Sequence, residues 1–416
     1  MSEQEKRLGV YIHIPFCASK CGYCDFCSLP GKEKLMPYYQ DAVLIQLQET
    51  MPRMKDYLID TVYFGGGTPS YYGAKRIAEI LQELKFSNIL LKASEITMEC
   101  NPDSVRRSDL RLLRKEGVNR ISLGAQSAND DLLRLIGRRH NWRQVEMAVK
   151  RARQAGFRNI SLDLMYGLPG QTREDWADTL NKAIALKPAH LSCYGLRLEE
   201  GTPMYDEYID SPILPTDDDQ ADMYLYAVDF LSRRGYRQYE ISNFARPGYE
   251  SRHNLKYWQL EDYIGFGAAA HSNLGLLRYS YTRSVREYIS GVFEEKEIID
   301  EHEELNSFNR ASEYIMLGMR TVRGISREEY TSIYKSSFDA LEEMLRVFAE
   351  NGWAAQEKDG RWHFTPGGFL VSNVLIGVLL EAQTKEKFSA NPWIEEAFEA
   401  LGQKIPLPTA SDPYLN

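Results

Sequence analysis

Long hydrophobic runs and an excess of positive charge are both missing from this chain of 416 residues. No apolar run approaches the ~18 residues that mark a membrane-spanning helix, so we expect no membrane span. The 50 Lys and Arg residues against 59 Asp and Glu residues give a net charge of −9, which argues against nucleic acid as a partner. The first residues, MSEQEKRLGVYIHIPF, lack the apolar stretch of a secretory signal. We therefore expect a cytoplasmic protein.

Cysteine is scarce except in one short segment. Of the six cysteines, Cys17, Cys21, Cys24 and Cys27 lie close together, whereas the other two stand apart. In a cytoplasmic chain of this size, clustered thiols are more typical of a metal site than of disulfides.

Short apolar runs rich in β-branched residues alternate with amphipathic stretches through the first 200 residues. The predicted strands are residues 10–14, 61–64, 96–100, 120–124, 160–165 and 191–196, and helical patterns separate them. About six repeats of strand and helix predict a parallel sheet, either doubly wound or closed toward a (β/α) barrel. We assign residues 1–200 to this core.

The remainder of the chain predicts smaller units. Residues 201–300 read as an α/β extension, and residues 301–384 as a small helical C-terminal domain with a hairpin at 353–365. Helices with such a hairpin resemble a winged helix, but the mixed charge favours packing over DNA binding. We expect residues 385–416 to form a loosely attached tail.

The cysteine segment follows the first predicted strand with the spacing C-x3-C-x2-C. Three thiolates at Cys17, Cys21 and Cys24 suit a [4Fe–4S] cluster with one iron left open, as a reactive metal site requires. A zinc ion with Cys27 as a local fourth ligand is the alternative, although the usual second ligand pair 12–20 residues further on is missing.

Polar and glycine residues stand at the predicted strand ends. A glycine turn ending in Gly66, Gly67 and Thr68 follows the second strand, and Glu99, Gln126 and Asp163 lie at or near the ends of the next three. The carboxyl ends of parallel barrel strands emerge on one face, so we expect these residues to meet the cysteine loop there.

The ordered motifs YIHIPFC, FGGGTPS, ITMECNP, RISLGAQS, LDLMYGLPGQT and HNLKYW resemble those of the radical S-adenosylmethionine superfamily. Within it, they resemble the oxygen-independent coproporphyrinogen III oxidase-like family and its haem chaperone branch. This resemblance implies a partial (β/α)6 TIM-like barrel that holds a [4Fe–4S] cluster and S-adenosylmethionine.

The resemblance also implies residue roles. In the superfamily, the open iron binds the amino and carboxylate groups of S-adenosylmethionine. The positions that match its cofactor contacts are Tyr11, Tyr23, Gly66, Gly67, Thr68, Glu99, Gln126, Arg138 and Asp163. Among these, Arg138 has a guanidinium fork suited to the methionyl carboxylate.

Two features separate the haem chaperones from the oxidases. The oxidases of the family that this chain resembles carry the spacing C-x3-C-x2-C-x-C. Here Phe26 stands at the position of their fourth cysteine, and the role of Cys27 stays open. The segment HNLKYW matches the HN-x-x-YW motif of the chaperones, which makes His253 the predicted haem ligand. His271 is either a second haem contact or a hydrogen-bonding loop residue, and we favour the second.

The expected function is therefore binding of haem and its delivery to haem-requiring proteins such as respiratory enzymes, with transient contact at the membrane surface. Oxidative decarboxylation of coproporphyrinogen III is the alternative. A related radical S-adenosylmethionine methyltransferase is a third reading, against which HNLKYW argues.

Overall fold

The structure, a computed structural model, describes residues 5–385 of the chain. The predicted tail at 385–416 lies outside the described residues except for its first position. The strands are β1 (Lys6–Ile14), β2 (Phe16–Cys17), β3 (Leu29–Pro30), β4 (Tyr57–Gly66), β5 (Leu90–Cys100), β6 (Arg120–Gln126), β7 (Asn159–Tyr166), β8 (His190–Gly195), β9 (Arg237–Gln238), β10 (Asn243–Ala245), β11 (Tyr263–Phe266), β12 (His271–Leu274), β13 (Leu277–Tyr281), β14 (Ile299–Glu304), β15 (Ala354–Gln356) and β16 (Trp362–Phe364).

Helices separate most of the strands. They are α1 (Met36–Thr50), α2 (Pro69–Tyr72), α3 (Ala74–Phe86), α4 (Arg107–Lys115), α5 (Asp130–Leu135), α6 (Trp142–Gln154), α7 (Arg173–Ala185), α8 (Pro203–Tyr208), α9 (Asp217–Ser232), α10 (Arg252–Trp258), α11 (Val285–Phe293), α12 (Ser307–Gly318), α13 (Arg327–Tyr334), α14 (Asp339–Glu350), α15 (Pro366–Leu370) and α16 (Ser372–Lys385).

The predicted barrel is present. Strands β1, β4, β5, β6, β7 and β8 pair in this order, all parallel, and one or two helices connect each of them to the next. Along β1, the side chains of Leu8, Val10 and Ile12 are fully buried, as expected of a strand covered by helices. This arrangement confirms the partial (β/α)6 fold class.

The barrel sheet continues beyond β1. Strand β11 pairs parallel to β1, and β12, β13 and β14 follow as an antiparallel extension. Consequently, the sequence from Ala245 to Lys256 and from Glu261 to Glu304 belongs to the same compact unit as the chain up to Pro215.

A second compact unit contains Thr216–Phe244, Tyr257–Leu260 and the described part of the chain from Leu305 to Lys385. It holds helix α9 together with α12 to α16, and the hairpin β15–β16 forms where the sequence predicts it. The units therefore differ from the predicted boundaries at 200 and 300. Each unit combines segments that are distant in the sequence. A domain prediction that divides the chain into consecutive ranges cannot describe such units.

Candidate functional site

A cavity of about 500 Å³ lies at the carboxyl ends of the barrel strands. Such a volume suits one small-molecule ligand. Most of the predicted cluster and S-adenosylmethionine positions line it, namely Cys17, Cys21, Cys24, Tyr23, Gly66, Gly67, Thr68, Glu99, Gln126, Arg138 and Asp163. The exception is Tyr11, which is half-buried and stacks on Tyr63 with 6.2 Å between ring centroids.

The cysteine loop is held in place by the turn after β4. The Cys17 Sγ atom lies 3.3 Å from the Thr68 hydroxyl, and the backbone N–H of Thr68 donates to the Phe16 carbonyl at 2.9 Å. Within the loop, the N–H of Cys24 donates to the Cys21 carbonyl at 3.2 Å. The loop and the glycine turn therefore form one wall of the cavity.

His13 packs against the glycine turn from the barrel side. Gly66 has a φ of +107°, and a Cβ atom at this position would lie only 2.5 Å from the His13 ring. The ring bonds to the Tyr11 hydroxyl at 3.1 Å and to the Cys27 carbonyl at 2.9 Å. Burial lowers the pKa of His13 to about 4, so the ring is neutral at pH 7. His13 thus links the glycine turn to the cysteine loop.

Glu99 places a carboxylate beside the glycine turn. It accepts hydrogen bonds from the Tyr63 hydroxyl at 2.8 Å and from the Gly66 N–H at 3.2 Å. Burial raises the pKa of Glu99 to about 7, because the loss of water outweighs the two hydrogen bonds that favour the charged form. A cationic ligand group near this carboxylate would restore its charge.

Asp163 lies on β7 among serine hydroxyl groups. Ser122 and Ser192 each donate to the carboxylate at 2.9 Å. Burial raises the pKa of Asp163 above its usual value, although these hydrogen bonds act in the opposite direction. The carboxylate keeps spare acceptor capacity toward the cavity, which suits hydroxyl groups on a ligand.

Arg138 supplies a cation on the cysteine side of the cavity. Its guanidinium donates to the Asn101 side chain at 2.7 Å and to the Gly124 carbonyl at 2.8 Å, and lies 3.6 Å from Cys21 Sγ. Burial lowers the pKa of Arg138, but the neighbouring Tyr23 and Cys21 side chains outweigh this effect and raise it. The group therefore remains charged beside the thiols.

The three predicted cluster ligands, Cys17, Cys21 and Cys24, line one cavity together with a cation and a glycine turn. Among residues 5–385, no group of three or more His, Cys, Asp or Glu side chains is arranged to hold a single metal ion. Cys27 is not part of this lining, and its Sγ donates to the Arg283 carbonyl at 3.3 Å.

The predicted haem ligand has a position that the sequence did not suggest. His253 is fully buried inside the barrel, its Nδ1 lies 2.8 Å from the Thr61 hydroxyl, and its ring stacks on Tyr63. Burial, followed by the nearby Lys256, lowers the pKa of His253 to about 3. A haem iron cannot reach this ring unless α10 moves, so ligation by His253 stays a prediction. His271 is exposed at the start of β12.

Sequence reasoning missed several residues of the cavity. Asn101, Arg120, Ser122, Ser192 and Asn254 also line it. A buried cation within the strand motif RISLGAQS was the available signal for Arg120, because such a group is costly without a role. The serines carried no signal, since a serine in a strand is ordinary.

Comparisons with known proteins agree with this geometry. Residues 11–183 match a family model described as the Radical SAM superfamily. A Bacillus subtilis protein named Heme chaperone HemW is 35% identical over 376 residues, which cover 89% of this chain and 98% of the relative. A Lactococcus lactis protein of the same name is 36% identical over 372 residues and covers 89% and 96%, respectively.

A solved structure, the coproporphyrinogen III oxidase HemN from Escherichia coli, is similar in fold. The TM-score is 0.78 at 23% identity, with 91% of each chain covered. The fold and the family model together define a radical S-adenosylmethionine protein. Within that class, the chain belongs to the family of the HemW proteins.

Proposed function

We propose that the protein binds a [4Fe–4S] cluster, S-adenosylmethionine and haem, and delivers haem to haem-requiring proteins. The observation that carries this proposal is the similarity to proteins named Heme chaperone HemW, at 35% identity over 98% of the relative's length. Phe26 supports it, because an oxidase of this family would have a fourth thiol at that position.

Cys17, Cys21 and Cys24 would hold the cluster. When bound there, the cluster would supply an electron for cleavage of S-adenosylmethionine. Opposite charges in the cavity would orient the amino-acid end of that ligand. The carboxylate of Glu99 suits the amino group, and the guanidinium of Arg138 suits the carboxylate. The chain itself therefore contributes binding and orientation.

Haem recipients are proposed to be respiratory proteins, reached by transient contact at the membrane surface from the cytoplasm. No helix in the described part of the chain is long and apolar enough to span a membrane. Phe26, which is 70% exposed, offers an apolar contact on the cysteine loop for a haem or a recipient.

The test offers haem and coproporphyrinogen III, in parallel, to protein with a reconstituted cluster. We expect a haem absorbance spectrum that saturates with stoichiometric haem, transfer of that haem to an apo-haemoprotein, and no protoporphyrinogen from the second substrate. Turnover of coproporphyrinogen III would establish the alternative, an oxidase, and would overturn the chaperone proposal.

The predicted ligand is tested in the same assay. If His253 ligates haem after α10 moves, His253→Ala will weaken haem binding and leave the iron and sulfide content unchanged. Unchanged haem spectra in this variant would assign the ligand to another residue.

A further inference from the structure

Helix α10, which carries the whole HNLKYW segment, contributes Asn254 to the cavity lining. The carboxylate of Glu95, on β5, accepts hydrogen bonds from the backbone N–H groups of Arg252 and His253, at 3.2 and 3.1 Å. Lys256 forms ion pairs with Asp60 at 3.0 Å and with Glu261 at 2.7 Å. The start of the helix is therefore fixed to β4 and β5 of the barrel.

His253 adds a third attachment. Its Nδ1 lies 2.8 Å from the Thr61 hydroxyl, and its ring lies 5.2 Å from the Tyr63 ring at an interplanar angle of 25°. Tyr63 in turn donates to Glu99 in the cavity wall. The histidine thus belongs to the packing beneath the cavity and is not part of its surface.

Asn254 is the residue of this segment that faces the cavity. It lines the space together with Ser122, Asp163 and Ser192, and it is half-buried. Within the described part of the chain, its side-chain amide forms no hydrogen bond, whereas Ser122 and Ser192 of the same lining donate to Asp163. A half-buried amide that points into a ligand cavity has both donor and acceptor capacity available.

The chemistry of the cavity lining indicates which part of a ligand Asn254 suits. The charged groups suited to an amino acid, Glu99 and Arg138, are engaged with the glycine turn and the cysteine side. The uncharged polar groups of the lining include the Asn254 amide and the hydroxyls of Ser122 and Ser192. Such groups match the hydroxyls and ring nitrogens of an adenosyl group and do not match the apolar face of a porphyrin.

We propose that Asn254 hydrogen-bonds the adenosyl group of S-adenosylmethionine, and that His253, held by Thr61, is the positioning residue that seats Asn254 in the cavity. This inference rests on the proposed S-adenosylmethionine site. In the HNLKYW segment, Asn254 would then contact the ligand, and His253 would act on ligand binding only through Asn254.

The test measures binding of S-adenosyl-L-homocysteine and of L-methionine to the cluster-loaded protein by calorimetry. Loss of one hydrogen bond in Asn254→Ala should weaken S-adenosylhomocysteine binding about three- to tenfold and leave methionine binding unchanged, because methionine has no adenosyl group. Gln259→Ala, which removes an exposed amide just after α10, is the matched control and should change neither. Iron content should equal that of the wild type in both variants.

The positioning role has its own variants. Thr61→Val removes the hydroxyl that holds the His253 ring. This variant should have a lower affinity for S-adenosylhomocysteine and an unchanged affinity for methionine. Thr61→Ser keeps a hydroxyl and should have the wild-type affinity for S-adenosylhomocysteine. A merely structural role would weaken both ligands together.

Two results would overturn the inference. They are wild-type affinity for S-adenosylhomocysteine in Asn254→Ala, and an equal loss of affinity for both ligands. If the wild type itself binds no S-adenosylhomocysteine, the proposed cofactor site fails as well.

Discussion

The burial of Glu99 makes the free energy of unfolding depend on pH. Its carboxyl is enclosed by Tyr63 and Gly66, and burial raises its pKa from 4.5 to about 7. The folded protein therefore binds a proton at this site between pH 4.5 and 7 that the unfolded chain has already released. As pH rises through this window, the folded state loses stability, and above pH 7 the loss is complete.

The magnitude follows from the shift. A change of 2.5 pKa units, from 4.5 to 7, corresponds to about 3 kcal/mol. Because Glu99 lines an open cavity, water screens part of the energy cost of ionising its carboxyl. We therefore expect a loss of about 1–2 kcal/mol in the free energy of unfolding. Glu99→Gln removes the titrating group while it keeps the shape and one acceptor oxygen.

The assay compares the free energy of unfolding of wild type and Glu99→Gln, from urea denaturation at several values between pH 4.5 and 8. The wild type should lose about 1–2 kcal/mol more than the variant over this range. Saturating S-adenosylhomocysteine should reduce the difference, because its amino group favours the charged carboxylate. Parallel pH profiles for the two proteins would refute the reasoning.

Three further substitutions test the cysteine loop, the glycine turn and the second unit. Cys21→Ala should abolish assembly of a four-iron cluster under anaerobic reconstitution, whereas Cys27→Ala should retain it. Gly66→Ala should abolish S-adenosylhomocysteine binding, because its Cβ would lie 2.5 Å from a buried ring, whereas Gly170→Ala shares a positive φ but has open space around it. Thr216→Ala removes a capping box at the start of α9 and should lower the free energy of unfolding by about 1 kcal/mol.

Each substitution has a contradicting result. A Cys21→Ala protein with full iron and sulfide would remove this thiol from the cluster. Equal effects of Gly66→Ala and Gly170→Ala on ligand binding would show that backbone conformation, and not the close ring, determines the loss. An unchanged urea midpoint in Thr216→Ala would show that packing alone holds α9.

The architecture was largely predictable, because its signals are local and periodic. The six barrel strands and the hairpin between Trp353 and Thr365 form where the sequence predicts them. The compact units were less predictable, since their cores combine segments that are distant in the chain.

By itself, the sequence determined the family and the cysteine loop, because the spacing of the cysteines and the order of the motifs can be read directly from the chain. It did not determine which residue of HNLKYW faces the cavity. Neighbouring residues of a helix point in different directions, and only packing against β4 and β5 decided that Asn254 faces the cavity and His253 the interior. Tertiary structure likewise stacked Tyr11 on Tyr63 instead of placing it in the cavity wall.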